Sequence, residues 1–224
     1  MTHESSGGMA RLWQRAGWLV ALVIAVGWPA DAQAIDDPAL EYRTLTTEHF
    51  YVHYYEGLED LARKTAVHCE EAHQMLVPLL DWRPAGRTHV FVNDRLDTAN
   101  GSANVFGRNH INIFGMPPES DSVLGYYDDW LRILVYHEYV HILHLDTTTG
   151  LSALLNTIIG KQLNPNQLLP RWYIEGIAVY YESARTDTGR VGSSLYQMWL
   201  REEALRDEPM TLGATTGRPT RWPF

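Results

Sequence analysis

The chain has 224 residues, 45% of them hydrophobic and 20% charged, enough apolar material for one domain with an ordinary core. A formal net charge of −9, with no cluster of Lys and Arg, excludes general nucleic-acid binding, because phosphate contacts need concentrated positive charge. A single cysteine, Cys69, excludes an internal disulfide; it falls in a helical pattern and reads as a buried, inert thiol.

At the N-terminus, Arg11 and Arg15 precede an apolar run from Ala16 to Val26, then Gly27, Trp28 and Pro29, then Ala32-Gln33-Ala34. Charge, apolar run and small residues in that order predict a secretory signal peptide over 1–34. A mature domain over 35–224 and export to the periplasm or the extracellular space are therefore expected. The apolar run is shorter than the roughly 20 residues of a membrane span, and no other segment is apolar enough. No stable membrane span is expected after cleavage.

Alternation of Phe50, Val52 and Tyr54 with Tyr51, His53 and Tyr55 predicts a strand over Leu45 to Tyr55. Leu58, Leu61, Thr65, Cys69, Ala72, Leu76 and Leu79 share one helical face, which predicts a helix over Leu58 to Leu80. Thr88 to Val92 reads as a buried strand, the polar, Gly-bearing stretch from Asp94 to Arg108 as a loop, and Ile111, Ile113 and Phe114 as another strand. Helical patterns follow over about Ser122 to Leu145, Leu151 to Ile159, Trp172 to Ser183 and Ser193 to Leu205, with a loop over Gly160 to Pro170. Pro209 to Phe224 shows no pattern. Strands with one helix, then helices alone, predict an α+β fold in which a small mixed β-sheet lobe precedes a helical lobe.

Chemistry concentrates in His137-Glu138-Tyr139-Val140-His141, an H-E-x-x-H inside a predicted helix. Residues i and i+4 are neighbours on one helix face, so two imidazoles can reach one zinc at about 2.0–2.1 Å. Glu138 then reaches water at the metal rather than the metal itself. A solvated surface helix would carry the same letters, but Leu131, Ile133, Leu134, Val135, Val140, Ile142 and Leu143 make this helix largely apolar. Burying two imidazoles and a carboxylate without partners costs several kcal/mol, and a metal removes that cost. His144 is a poor third ligand. It lies seven residues after His137, about 10.5 Å along a helix axis. Glu175, a lone carboxylate near the start of the apolar helix around Trp172, is the better candidate; Gly176 and Ala178 are small enough to let that helix pack beside the first. Asp146 and Glu182 are candidates to hold the second ring nitrogen of a ligand histidine.

The H-E-Y-V-H motif followed by W-Y-I-E-G-I-A-V-Y-Y-E resembles the gluzincin metallopeptidases. It is most similar to the peptidase-MA-like domains that precede β-propeller repeats in longer exported bacterial proteins. The likeness covers about Thr44 to Trp222. It implies a zincin-like fold with the metal between two packed helices, one Zn2+ per chain on His137, His141 and Glu175, and Glu138 as general base. It further implies a peptide or protein substrate, pairing of an extended substrate with the strand near His110 to Phe114, and a β-propeller downstream in a longer chain. An oxyanion donor is expected among Tyr173, Tyr180, Tyr196 and His110, and spacing does not choose between them. Two other functions fit the same residues: a zinc hydrolase of a non-peptide amide such as cell-wall material, and a non-catalytic zincin-like interaction domain.

Overall fold

A computed structural model describes residues 40–97, 99–118, 129–185, 189–206 and 211. The signal peptide expected over 1–34 and the patternless C-terminal stretch, Thr211 apart, lie outside these residues, as does the start of the helix expected from Ser122. The elements below all belong to the unit Glu41–Phe224.

Five strands form one mixed sheet: β1 (Tyr42–Thr46), β2 (Phe50–Tyr55), β3 (Thr88–Asn93), β4 (Asn100–Asn104) and β5 (His110–Phe114). Their order is β1-β2-β3-β5-β4. The centre is parallel, with Val52 beside Val90 and Val90 beside Ile111. Both outer strands, β1 and β4, run antiparallel to their neighbours, and among the described residues each is paired on one side only. A parallel β2–β3 pair needs a crossover, and α1 (Glu59–Leu80) supplies it. Glu59 and Asp60 suit the positive end of that helix, and its last turn contains Pro78 before Asp81 turns left-handed at φ 48°.

The strand expected over Leu45 to Tyr55 is two strands. Thr47 donates its amide to the Phe50 carbonyl at 3.0 Å and closes a turn, so the chain doubles back and β1 pairs with β2. The loop expected over Asp94 to Arg108 contains β4. Asn-Gly-Ser-Ala-Asn has almost no intrinsic strand preference, and pairing with β5 over Asn100 to Asn104 makes it a strand.

Four further helices follow: α2 (Trp130–Asp146), α3 (Gly150–Ile159), α4 (Arg171–Arg185) and α5 (Ser194–Ala204), with 3₁₀ turns at Pro165–Leu168 and Arg190–Gly192. The α+β class is thus the observed one. In α2, apolar almost all round, every residue from Leu131 to Leu143 except Arg132 is buried. It packs on α1, β4, β5 and α4. Small residues of α1, Ala62, Ala66, Cys69 and Ala72, are all buried in the same core as Tyr136, Tyr139, Ile142 and Leu143 of α2. Each fully buried Leu or Ile there contributes about 1.5–3 kcal/mol. The central helix is therefore held rigidly, which is what a multi-ligand site on it requires.

Helix α4 meets α2 along Ala178, fully buried, flanked by Ile174, Ile177 and Tyr181. The small residue that admits close packing is Ala178. Gly176, expected to share that role, is exposed, and a methyl group there would touch nothing.

Candidate metal centre

His137 and His141 project from α2 one turn apart, and Glu175 projects from the first turns of α4 towards them. His137 Nε2 lies 3.1 Å from His141 Nε2, and Glu175 Oε2 lies 3.5 Å from each. Bonds of about 2.0–2.1 Å in tetrahedral geometry place ligand atoms roughly 3.3 Å apart, so the three atoms already stand at metal-ligand spacing. Among the described residues this is the one group of three that could hold a metal ion. Two neutral imidazoles and one carboxylate are a donor set suited to zinc with a fourth position open.

The site lies in a cleft of about 660 Å³ lined by β4, α2, α4, Arg190 and Tyr196. Glu138 faces the same cleft. Burial raises its carboxyl pKa, against the opposing pull of His137 and His141. Burial would also raise Glu175, but the two imidazoles hold it well below the usual carboxylate range. Burial disfavours charge on His137; bonds to Glu175 and Glu182 outweigh it and lift its pKa to about 9. The cluster thus stabilises positive charge between its carboxylates, a demand that a bound divalent cation also meets.

Behind His137, Nδ1 lies 2.8 Å from Glu182 Oε2. Glu182 is fully buried, and an unpaired carboxylate there would cost several kcal/mol. Arg190 supplies the counter-charge with a two-pronged grip: Nε donates to Oε1 at 2.6 Å and Nη2 to Oε2 at 2.7 Å. These bonds and His137 depress the Glu182 pKa against the effect of burial. Arg190 Nη2 also lies 2.7 Å from His137 Nδ1. A guanidinium can only donate, so that contact and the Glu182 bond need opposite tautomers of the ring. For Nε2 to serve as a metal ligand, the proton must sit on Nδ1 and be donated to Glu182.

The other residues singled out in the sequence are dispersed. Asp146, the alternative partner for a ligand histidine, instead accepts from Trp82 Nε1 at 2.8 Å and pairs with Lys161, bracing the end of α2. His144 packs edge-on to Tyr173, 6.0 Å between centroids. Of the four oxyanion candidates only Tyr196 lines the cleft; Tyr173 and Tyr180 are exposed, and His110 sits against Phe91 on β3. Substrate pairing was expected at the strand near His110 to Phe114, but β5 is bonded on both sides, to β3 and to β4. Among the described residues the edge strand that lines the cleft is β4, paired on one side only. Its Gly101 lies directly on the general-base candidate: a methyl group at Gly101 would come within 2.8 Å of Glu138 Cγ and Oε1.

Arg190 and β4 escaped sequence reasoning. Arg190 is 53 residues from His137, with no periodic relation to Glu182 across a helix end. The only trace of β4 is its glycine, at a spot where a strand must approach another side chain closely. No protein-family model, curated protein or solved structure matches this chain.

Proposed function

We propose that the chain is a zinc-dependent peptidase of zincin-like fold, with His137, His141 and Glu175 as metal ligands and Glu138 as general base. The observation that carries the proposal is the spacing of three ligand atoms, 3.1 to 3.5 Å apart, in a cleft that also holds a buried, unligated carboxylate. When bound, zinc supplies Lewis acidity, polarising a carbonyl and acidifying water towards a pKa of about 7. Glu138 accepts the proton of the attacking water and passes it to the leaving amine nitrogen; its burial raises its basicity for that task. The Tyr196 hydroxyl is the candidate donor to the developing oxyanion. An extended peptide would add to the edge of β4 that is unpaired among the described residues and lie across the cleft beside Glu138. Residence in the periplasm or outside the cell belongs to the same proposal and rests on the N-terminal sequence, as does a longer chain with a downstream β-propeller on the resemblance.

The test is the metal content of the purified protein together with peptide hydrolysis. One zinc per chain is expected in wild type and in Glu138→Gln, with hydrolysis lost only in the variant. Glu175→Ala should lose most of the metal. Wild type without stoichiometric metal, or full occupancy in Glu175→Ala, refutes the ligand set. Metal without hydrolysis of peptides, or of amides of cell-wall type, leaves an interaction domain.

A further inference from the structure

The 3₁₀ turn Arg190–Gly192 is built to present one side chain. Ser183, near the end of α4, accepts the Val191 amide on its Oγ at 3.0 Å, and Gln197 of α5 donates to the Val191 carbonyl at 2.9 Å. Gly189 sits so tightly on Ser183 that any larger residue would collide with the Ser183 backbone. The turn is thus clamped against α4 from one side and tied to α5 from the other. Arg190 lies between them, its guanidinium largely buried against Glu182.

We propose that Arg190 is a positioning residue. By gripping both oxygens of Glu182 it turns Oε2 to the Nδ1–H of His137, and so keeps the Nε2 lone pair aimed at His141 Nε2 and Glu175. Two facts make this more than a buried ion pair. The carboxylate has two oxygens and Arg190 binds both, which leaves Glu182 a single rotational setting, the one that meets His137 at 2.8 Å. The opposite tautomer, with Arg190 donating to Nδ1, would place the proton on Nε2, where it blocks a ligand. Holding Glu182 Oε2 against Nδ1 favours a proton there, the arrangement that frees Nε2 to ligate. Lysine, a point charge on a flexible stem, cannot hold two oxygens in a fixed plane. The inference rests on the peptidase reading only for the purpose of Nε2; the orientation of the ring is a property of the protein with or without metal.

The experiment compares wild type with Arg190→Lys, Arg190→Ala and Glu182→Gln. One readout is the zinc dissociation constant by chelator competition. The other is the His137 Nδ1–H resonance in ¹⁵N-edited spectra of the metal-free and zinc-loaded protein. Circular dichroism checks folding, and Arg190→Lys guards against Arg190→Ala failing to fold around an unpaired carboxylate. Loss of a partner behind a ligand histidine weakens metal binding about 10- to 100-fold, and that range is expected for all three variants. The Nδ1–H resonance should shift or broaden in both Arg190 variants. Wild-type affinity with an unmoved resonance in Arg190→Lys overturns the proposal, since charge alone would then suffice. If wild type binds no zinc, the peptidase reading falls, while the resonance in the metal-free protein still decides the role of Arg190.

Discussion

Replacing Gly101 by alanine tests whether the edge strand positions Glu138, the proposed general base. No left-handed backbone angle marks Gly101, so alanine meets no backbone penalty there. The added methyl would come within 2.8 Å of Glu138 Cγ and Oε1 and 3.0 Å of Cδ, where ordinary contact begins near 3.4 Å. The carboxylate must therefore retreat by roughly 0.6 Å, into a wall that leaves Glu138 only 5% exposed. A misplacement of about 1 Å at a reacting group can cost about 100-fold, so a loss of roughly 10- to 100-fold in kcat/KM is expected. Overpacking costs about 1–3 kcal/mol. Replacing a strand glycine returns about 0.5–1 kcal/mol. The net loss, up to about 2.5 kcal/mol, should lower Tm by several degrees at most. Zinc content should not change, because Glu138 is not among the proposed ligands. Peptide hydrolysis, metal analysis and a thermal melt on one preparation separate these effects. Activity within twofold of wild type would refute the idea that β4 holds the carboxylate in place, and loss of zinc would show the damage reaching the ligands instead.

Tyr196→Phe should lower kcat by about 10²-fold or more at unchanged zinc content, as expected for removal of one oxyanion donor; a rise in KM alone would assign the hydroxyl to ground-state binding. Burial, His49 and Arg83 lower the pKa of His73 to about 4. The unfolded imidazole, near its ordinary 6.5, gains a proton first, so the contribution of His73 to stability is full above pH 6.5 and is lost as pH drops from there to about 4. Urea midpoints at several pH values should show that slope reduced in His73→Asn, whose amide takes the place of the Nδ1 that lies 2.6 Å from the Tyr139 hydroxyl; an unchanged slope would place the proton uptake elsewhere. Cys69 is fully buried and burial raises its thiol pKa far above the ordinary value. A thiol reagent should label it only on unfolding, at the rate measured by loss of circular dichroism, and rapid labelling of the native protein would contradict the packing of α1 on α2.

Local pattern carried much of this protein. Three-residue and four-residue apolar spacing marked α1, α4 and α5 almost to their ends, because a helix closes its hydrogen bonds within itself and needs only a face to bury. The H-E-x-x-H spacing placed two imidazoles on one side of α2 before any tertiary contact was known, since i and i+4 neighbours are a property of the helix alone. Glu175 stood out as the one carboxylate in the first half of an apolar helix.

What only the tertiary structure decided shares one physical cause: each feature is a pairing between distant segments. The strand β4 exists because β5 offers it hydrogen bonds, not because Asn-Gly-Ser-Ala-Asn prefers to extend. The turn at Thr47 split one apparent strand in two, since alternation persists through a short turn and the reversal shows only in the pairing of β1 with β2. Arg190 meets Glu182 and His137 across the end of a helix, where no periodicity links sequence separation to distance. The choice of Ala178 over Gly176 as the packed small residue depends on the rotation of α4 against α2, which side-chain burial sets. By itself the sequence pointed to the three side chains that the fold brings to metal-ligand spacing; the fold determined which groups hold them in place and which edge strand lies beside them.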